Sequence, residues 1–180
     1  RLKLDVRQVY VSPRLATERK RVMESVLDGE EILDMFCGIG PFPIVIARNK
    51  NVDITAVDIN SEAIKYLDEN IKLNKLKGNV KTYCGDIAEV SKSFNCKFDR
   101  IIMNLPGLAY TFLDIAVELI EDGGIINYYE FSDSYEQGIK RLKDACNNVG
   151  KKVEIINTRK VKSTSPGEWH VAIDGKIKNN

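Results

Sequence analysis

Five short runs rich in Ile, Val and other apolar residues recur along the chain, at 31–36, 53–58, 80–84, 98–104 and 124–131, and no other feature constrains the fold more. Each has the length of a buried strand rather than of a helix. Between them, 42–48, 61–73, 108–120 and 133–147 place apolar residues at helical spacing, with Ser61 expected to cap the second of these and Asp133 the fourth. Strand and helix in alternation imply parallel strands joined by right-handed crossovers, hence an α/β fold with a doubly wound, mostly parallel sheet. The tail departs from this pattern. Two strand-like runs, 152–161 and 168–173, flank a turn at 163–167 and predict a C-terminal antiparallel hairpin at one edge. Ahead of the first run, 2–12 reads as extended chain and 13–27 as a charged helix. Residues 1–28 therefore lead into one domain at 29–180.

The bounds agree with a single domain: 180 residues with 43% hydrophobic side chains bury one sizeable core and hardly two. A formal charge of +1 carries no nucleic-acid signal by itself, although Lys and Arg cluster at 14–21, 72–81 and 151–162. Cys37, Cys84, Cys96 and Cys146 are scattered without CxxC spacing or nearby histidines, which suggests neither a zinc site nor a disulfide framework and fits a reducing cytosol. No apolar run is long enough to span a bilayer and no secretory signal is present.

The stretch Asp-Met-Phe-Cys-Gly-Ile-Gly-Pro-Phe-Pro at 34–43 ends the first strand and turns into the first crossover helix. Ligands of open parallel sheets bind at such carboxyl ends. Gly38 and Gly40 begin the dinucleotide pattern, but Pro43 stands at its third glycine and Pro41 directly follows the second. Proline has no N–H, so two donors that would face a diphosphate are missing. S-adenosylmethionine meets these conditions: it has no phosphate, and its sulfonium and ammonium are positive. Asp34 supplies negative charge near them. Asp58, at the end of the second strand, is placed to accept bonds from ribose hydroxyls, and Asp86 with Ile87, after the third, to hold the adenine. Any one of these acids could be a helix cap; three at successive strand ends point to a ligand.

The fourth run ends in Asn104-Leu105-Pro106-Gly107. This resembles the Asn-Pro-Pro-aromatic motif of methyltransferases acting on nitrogen, in which the amide and adjacent carbonyls aim a planar amine at the methyl. Leu105 replaces the first proline and Gly107 stands in place of the stacking aromatic, so a ring nitrogen of a larger base fits better than a small exocyclic amine.

With 9–19 (Val-Tyr-Val-Ser-Pro-Arg-Leu-Ala-Thr-Glu-Arg), 34–42 and 104–106 in this order, the chain resembles the archaeal and eukaryotic tRNA guanine-N1 methyltransferases. The resemblance covers nearly the whole chain. It implies a class I Rossmann-like methyltransferase acting on the guanosine that follows the anticodon, with S-adenosylmethionine as cofactor, tRNA as partner and a cytoplasmic location. It also implies that the family's small tRNA-binding N-terminal domain is absent from this chain, and that a catalytic arginine of the family falls before Arg1. The implied cofactor set is Asp34, Phe36, Cys37, Gly38, Gly40, Asp58, Ile59, Asp86, Ile87 and Asn104. The implied substrate set is Arg14, Asn104, Leu105 and Pro106, and Glu24 maps onto the family's general base beside Asn104 and Pro106. Guanine N1 carries a proton in its neutral form, so attack on a methyl requires a carboxylate to remove it, ideally one whose basicity is raised by partial burial. The base must be flipped from its stack to present that edge.

Other readings differ in what reacts. A close relative would transfer the aminocarboxypropyl group of the same cofactor; Pro41 resembles the methyltransferase branch. A nicotinamide oxidoreductase would rest on Gly38, Gly40 and Asp58 and is opposed by Pro43. A non-catalytic RNA-binding module is opposed by the strand-end acids, which repel phosphate. His170 reads as structural, in the late hairpin away from the strand ends that carry the signature, and Trp169 beside it as core.

Overall fold

The computed structural model describes residues 2–5, 12 and 15–180. Arg14 and most of the stretch expected to be extended at 2–12 lie outside the described residues. The chain divides into two compact units, Arg1–Phe94 and Asn95–Asn180.

In the first unit, α1 (Ala16–Ser25) precedes three strand and helix repeats: β1 (Glu31–Asp34), α2 (Pro41–Asn49), β2 (Asp53–Asp58), α3 (Ser61–Leu73), β3 (Asn79–Cys84) and the short α4 (Ile87–Val90). β1 pairs with β2 and β2 with β3, all parallel. The alternation thus produces what it predicted, because each crossover helix has an apolar stripe to bury. Ile64 and Leu67 of α3 pack with Ile44 of α2, Ala56 of β2 and Cys37. Asn60 rather than Ser61 caps α3: its side chain accepts from the N–H groups of Glu62 and Ala63 at 3.0 and 3.4 Å. The helix therefore starts at Ser61 itself, one residue earlier than a cap at Ser61 would have allowed. The cause is Asp58, which takes the N–H of Asn60 and sets the turn there.

The second unit holds β4 (Phe98–Met103), a 3₁₀ turn at Ala109–Phe112, α5 (Leu113–Leu119), β5 (Ile120–Ser132), α6 (Glu136–Asn148), β6 (Lys151–Ser165) and β7 (Glu168–Asn179). β4 and β5 are parallel, while β7 runs antiparallel to both β5 and β6, so the hairpin predicted for the tail forms with β6 outermost. The helix expected at 108–120 is shorter than its periodicity implied. Its first turn is 3₁₀ and Ile120 is already extended. Phe98 then faces Ile120 whereas Arg100 faces Ile125, and the extra residues bulge at Gly123, whose φ is +80°. Asp133 does not cap α6 either. β5 continues to Ser132, and Tyr135 occupies the cap position without a side-chain bond.

Polar residues cross the interior of this unit as a connected chain. Arg100 donates to Asn127 Oδ1 at 3.1 Å, Asn127 to Asp174 Oδ1 at 2.7 Å, and Asn157 to Asp174 Oδ2 at 3.0 Å. One residue from each of four neighbouring strands takes part, so the groups satisfy one another out of water. Among the described residues no helix is long and apolar enough to cross a membrane.

Candidate functional site

The candidate turn of the first unit, after β1, is built from backbone. Asp34 ends β1 almost completely buried, at 1% exposure. Its Oδ1 takes the N–H of Phe36 at 3.3 Å, while Oδ2 is shut off from solvent with no hydrogen-bond partner among the described residues. Burial, with the charge of Asp58 adding to it, pushes the Asp34 carboxyl up to about 8. The chain then turns through Gly38 and Gly40 at φ +53° and +86°. Gly40 has to be glycine twice over: its φ disfavours side chains, and a Cβ there would come within 2.2 Å of Leu67 Cδ1 in the core. It leads into α2 with prolines at the first and third positions, as the missing donors required.

Asp58 closes the turn from β2. Its Oδ2 accepts the Gly38 N–H at 2.7 Å and its Oδ1 that of Asn60 at 2.9 Å, which leaves each oxygen a further lone pair. Cys37 donates its N–H to Val57 O at 2.9 Å, and its buried thiol is held well above the usual range, so it lines the turn as an inert side chain. Ile59 projects into solvent at 72% exposure beside Asp58, and Ile87 is buried. Asp86 caps α4 by accepting the Ala88 N–H at 2.9 Å. It therefore has the capping role that any acid in such a place could have, and only its second oxygen remains for a ligand.

This turn fits an S-adenosyl cofactor by its own chemistry. A buried carboxylate oxygen without a donor suits a cation, and a half-exposed aspartate fixed through backbone N–H groups suits a diol.

A second candidate turn belongs to the other unit and is built differently. Asn104 follows β4, and its Oδ1 is also buried without a hydrogen-bond partner among the described residues. Leu105 O receives the N–H groups of both Leu108 and Ala109, at 2.9 and 2.7 Å, so its lone pairs are used within the turn. Pro106 O receives only the Phe131 N–H, at 3.1 Å, and keeps one lone pair. Asn104 and Pro106 thus have acceptors to offer, whereas Leu105 contributes shape.

Glu24 on α1 has a side chain 59% exposed, 3.6 Å from Lys20, without the burial expected to favour a base. The buried carboxylate of α1 is Glu18, at 1% exposure, gripped by Arg21 Nη2 at 2.6 Å. Sequence reasoning passed over Glu18, although the helix periodicity puts it four residues before the buried Val22.

The basic clusters are less free than their sequence suggested. Arg19 is buried and donates to Ser12 O, Arg21 holds Glu18, and Lys151 donates to the Val117 and Ile120 carbonyls at the end of α5. His170 is buried, as a structural residue should be, but its position differs from the expectation. It stands opposite Phe131 in the β5–β7 register, and Phe131 is bonded to Pro106, so it lies close to the strand end that carries the second motif. Trp169 is half-exposed rather than core, with Lys160 Nζ 4.8 Å above its ring.

Parallel strands, a glycine turn poor in N–H donors and acids at successive strand ends define the class I Rossmann-like methyltransferases. Within that class the profile of the TRM5/TYW2 methyltransferase domain matches residues 1–156, and the chain belongs to this family. It is 47% identical over 180 residues to the tRNA (guanine(37)-N(1))-methyltransferase Trm5b of Pyrococcus abyssi, covering 98% of this chain and 53% of the relative. The crystal structure of that protein superposes with a TM-score of 0.90 at 46% identity, over 99% of this chain and 53% of the other. The structure of Methanocaldococcus jannaschii TYW2 in complex with AdoMet also gives 0.90, at 36% identity, over 99% and 82%. The complex of aTrm5 with tRNALeu gives 0.86 at 38% identity, over 98% and 50%. The chain spans about half the length of the Trm5b relatives it matches.

Proposed function

We propose that this chain is the catalytic domain of an enzyme that transfers a methyl group from S-adenosylmethionine to N1 of guanosine 37 in tRNA, the activity named for its Trm5b relatives. The observation that carries the reading is the buried, unpartnered Oδ1 of Asn104 at the end of β4. An orphaned acceptor of this kind calls for an N–H from a ligand, and the Watson–Crick edge of guanine offers two such groups, N1–H and the exocyclic N2 amine.

The cofactor supplies an electrophilic methyl on a sulfonium. Asp34 faces its positive charge, Asp58 its ribose, and Ile59, Asp86 and Ile87 its adenine, with Phe36, Cys37, Gly38 and Gly40 shaping the turn. Asn104 and the carbonyl of Pro106 orient the guanine while Leu105 holds the turn, and Arg14 is the candidate for the RNA backbone. A carboxylate of α1 removes the N1 proton. Glu24 holds that role by resemblance; Glu18, the other glutamate of this helix, is buried and bonded to Arg21. Residues 1–28 lead into the catalytic domain at 29–180, and the reading places the enzyme in an archaeal cytoplasm.

Labelled S-adenosylmethionine and unmodified tRNA, incubated with the full-length protein, test the reading. The nucleoside should gain the mass of one methyl and appear only when guanosine occupies position 37. Gain of an aminocarboxypropyl group would assign the chain to the other branch of the family, whose M. jannaschii member is 38% identical over 179 residues. Single-turnover rates across pH then separate roles. Asn104→Ala should lose rate at every pH. Replacement of the true base by Gln should cost about 10² to 10⁴ in rate and recover in part as rising pH ionises guanine. If Glu24→Gln keeps the parental rate and Glu18→Gln loses it, the proton goes to the buried carboxylate.

A further inference from the structure

Exposed apolar side chains that occur singly need no explanation, but three gathered at the ligand end of neighbouring parallel strands do. Leu108, Tyr110 and Phe131 are 55%, 42% and 42% exposed. All belong to the surroundings of the candidate base-binding turn: Leu108 bonds to Leu105 O, Phe131 to Pro106 O, and Tyr110 lies on the 3₁₀ turn that follows.

Both aromatic rings are braced from behind. The Arg141 guanidinium lies 4.2 Å from the centroid of Tyr110. Arg141 is anchored in turn by Glu130 Oε2 at 2.9 Å, and the same oxygen accepts the Tyr128 hydroxyl at 2.6 Å. Glu130 is buried on β5 under α6, which approaches closely because it carries Gly138 at the contact: a Cβ there would meet Glu130 Oε1 at 2.7 Å. Phe131 has His170 edge-on, with centroids 5.7 Å apart and planes at 68°. Neither ring is loose, and Tyr110, with a cation against one face, is still 42% exposed.

We propose that Tyr110, with Leu108 and Phe131 beside it, is a stacking platform for the base of a nucleotide next to the guanosine held at Asn104. The inference rests on the function proposed above. Flipping one nucleotide strips its neighbours of a stacking partner and exposes their faces, and a planar aromatic face held rigid in advance binds a base with little loss of side-chain freedom. Gly107 stands where related nitrogen methyltransferases carry a stacking aromatic; Tyr110 returns such a ring three residues later, beside the target site rather than within it. Continuity of the patch with that turn favours a base over a second copy of the chain.

The test uses the full-length protein and a tRNA transcript with guanosine at position 37, with and without an abasic nucleotide at position 36 or 38. Tyr110→Ala should weaken tRNA binding about ten-fold, leave cofactor affinity and the rate at saturating tRNA unchanged, and be rescued by Tyr110→Phe and Tyr110→Trp. For one of the two neighbours, the abasic transcript and Tyr110→Ala should together cost no more than either alone. The platform is overturned if Tyr110→Ala binds tRNA like the parent, if its loss multiplies with the abasic loss at both positions, or if its main effect is to dissociate a dimer of the parent. If the parent leaves the transcript unmethylated, the proposed function fails instead, and the binding cycle alone decides the platform.

Discussion

The turn after β1 and the turn after β4 both sit at the carboxyl end of a parallel strand, yet they are held in place by opposite means. The first is fixed by its own backbone: two left-handed glycines, a strand-end aspartate accepting N–H groups, and a helix that begins on proline. The second contains Gly107, whose surroundings are open, and relies on side chains brought from β5, α6 and β7. A cofactor common to many enzymes calls for a fixed cradle, whereas the surface that meets a particular substrate is shaped by contacts that can change residue by residue.

Glycine substitutions should separate the two turns most sharply. Gly40→Ala combines a φ of +86° with overlap on Leu67 and should destabilise the chain by about 2–5 kcal/mol in urea unfolding. Gly107→Ala, with nothing within 4 Å of its Cβ, should stay within about 0.5 kcal/mol of the parent. Equal losses would end the distinction between them.

The next effect is on affinity and its pH dependence. Asp34→Asn should weaken S-adenosylmethionine binding roughly ten- to hundred-fold by removing a charged partner. In the free protein the Asp34 carboxyl is raised to about 8, so at neutral pH it is protonated and a bound cation must expel that proton. Parent affinity should therefore climb as pH rises towards about 8 and then level, while Asp34→Asn stays flat; calorimetry in buffers of different ionisation enthalpy measures the released proton. Stability runs the other way. Between the ordinary carboxyl value of 3.8 and about 8 the native state retains a proton that the unfolded chain has lost, so this group's contribution falls as pH rises. At pH above 8 the free Asn variant should melt higher than the parent.

Glu130→Gln tests the side-chain scaffold of the second turn. It keeps the shape but removes the charge that anchors Arg141, and should cost about 1–3 kcal/mol in denaturant unfolding, with cofactor affinity intact. A loss of cofactor affinity as large as that of Asp34→Asn would show that the two turns are not separately supported. The smallest effect belongs to the first unit: Asn60→Ala removes the α3 cap and should cost about 1 kcal/mol, whereas Ser61→Ala, lacking a capping bond, should not.

Much of the first turn was legible before any coordinates. Gly38, Gly40 and Pro41 act through local backbone geometry, which is written in contiguous residues, and Asp58 could be read from its place at the end of the next strand. The errors fell where one residue's environment outweighed its propensity. Ser61 and Asp133 are good caps by type, but the N–H bonded to Asp58 and the length of β5 moved both helix starts. Glu24 and Glu18 are two similar residues on one short helix, and only packing made one exposed and the other buried.

The sequence by itself determined the order of strands and helices, the parallel half and the antiparallel tail, and a glycine turn whose prolines disfavour a diphosphate, because periodicity and the stereochemistry of glycine and proline act over a few residues. Tertiary structure alone decided which carboxylates lose their water, as at Asp34 and Glu18, which cations are already engaged, as at Arg19, Arg21 and Lys151, and that Tyr110, Arg141 and Glu130 meet. Those outcomes depend on side chains from distant parts of the chain competing for the same space and the same hydrogen bonds, and that competition is settled only when the elements pack.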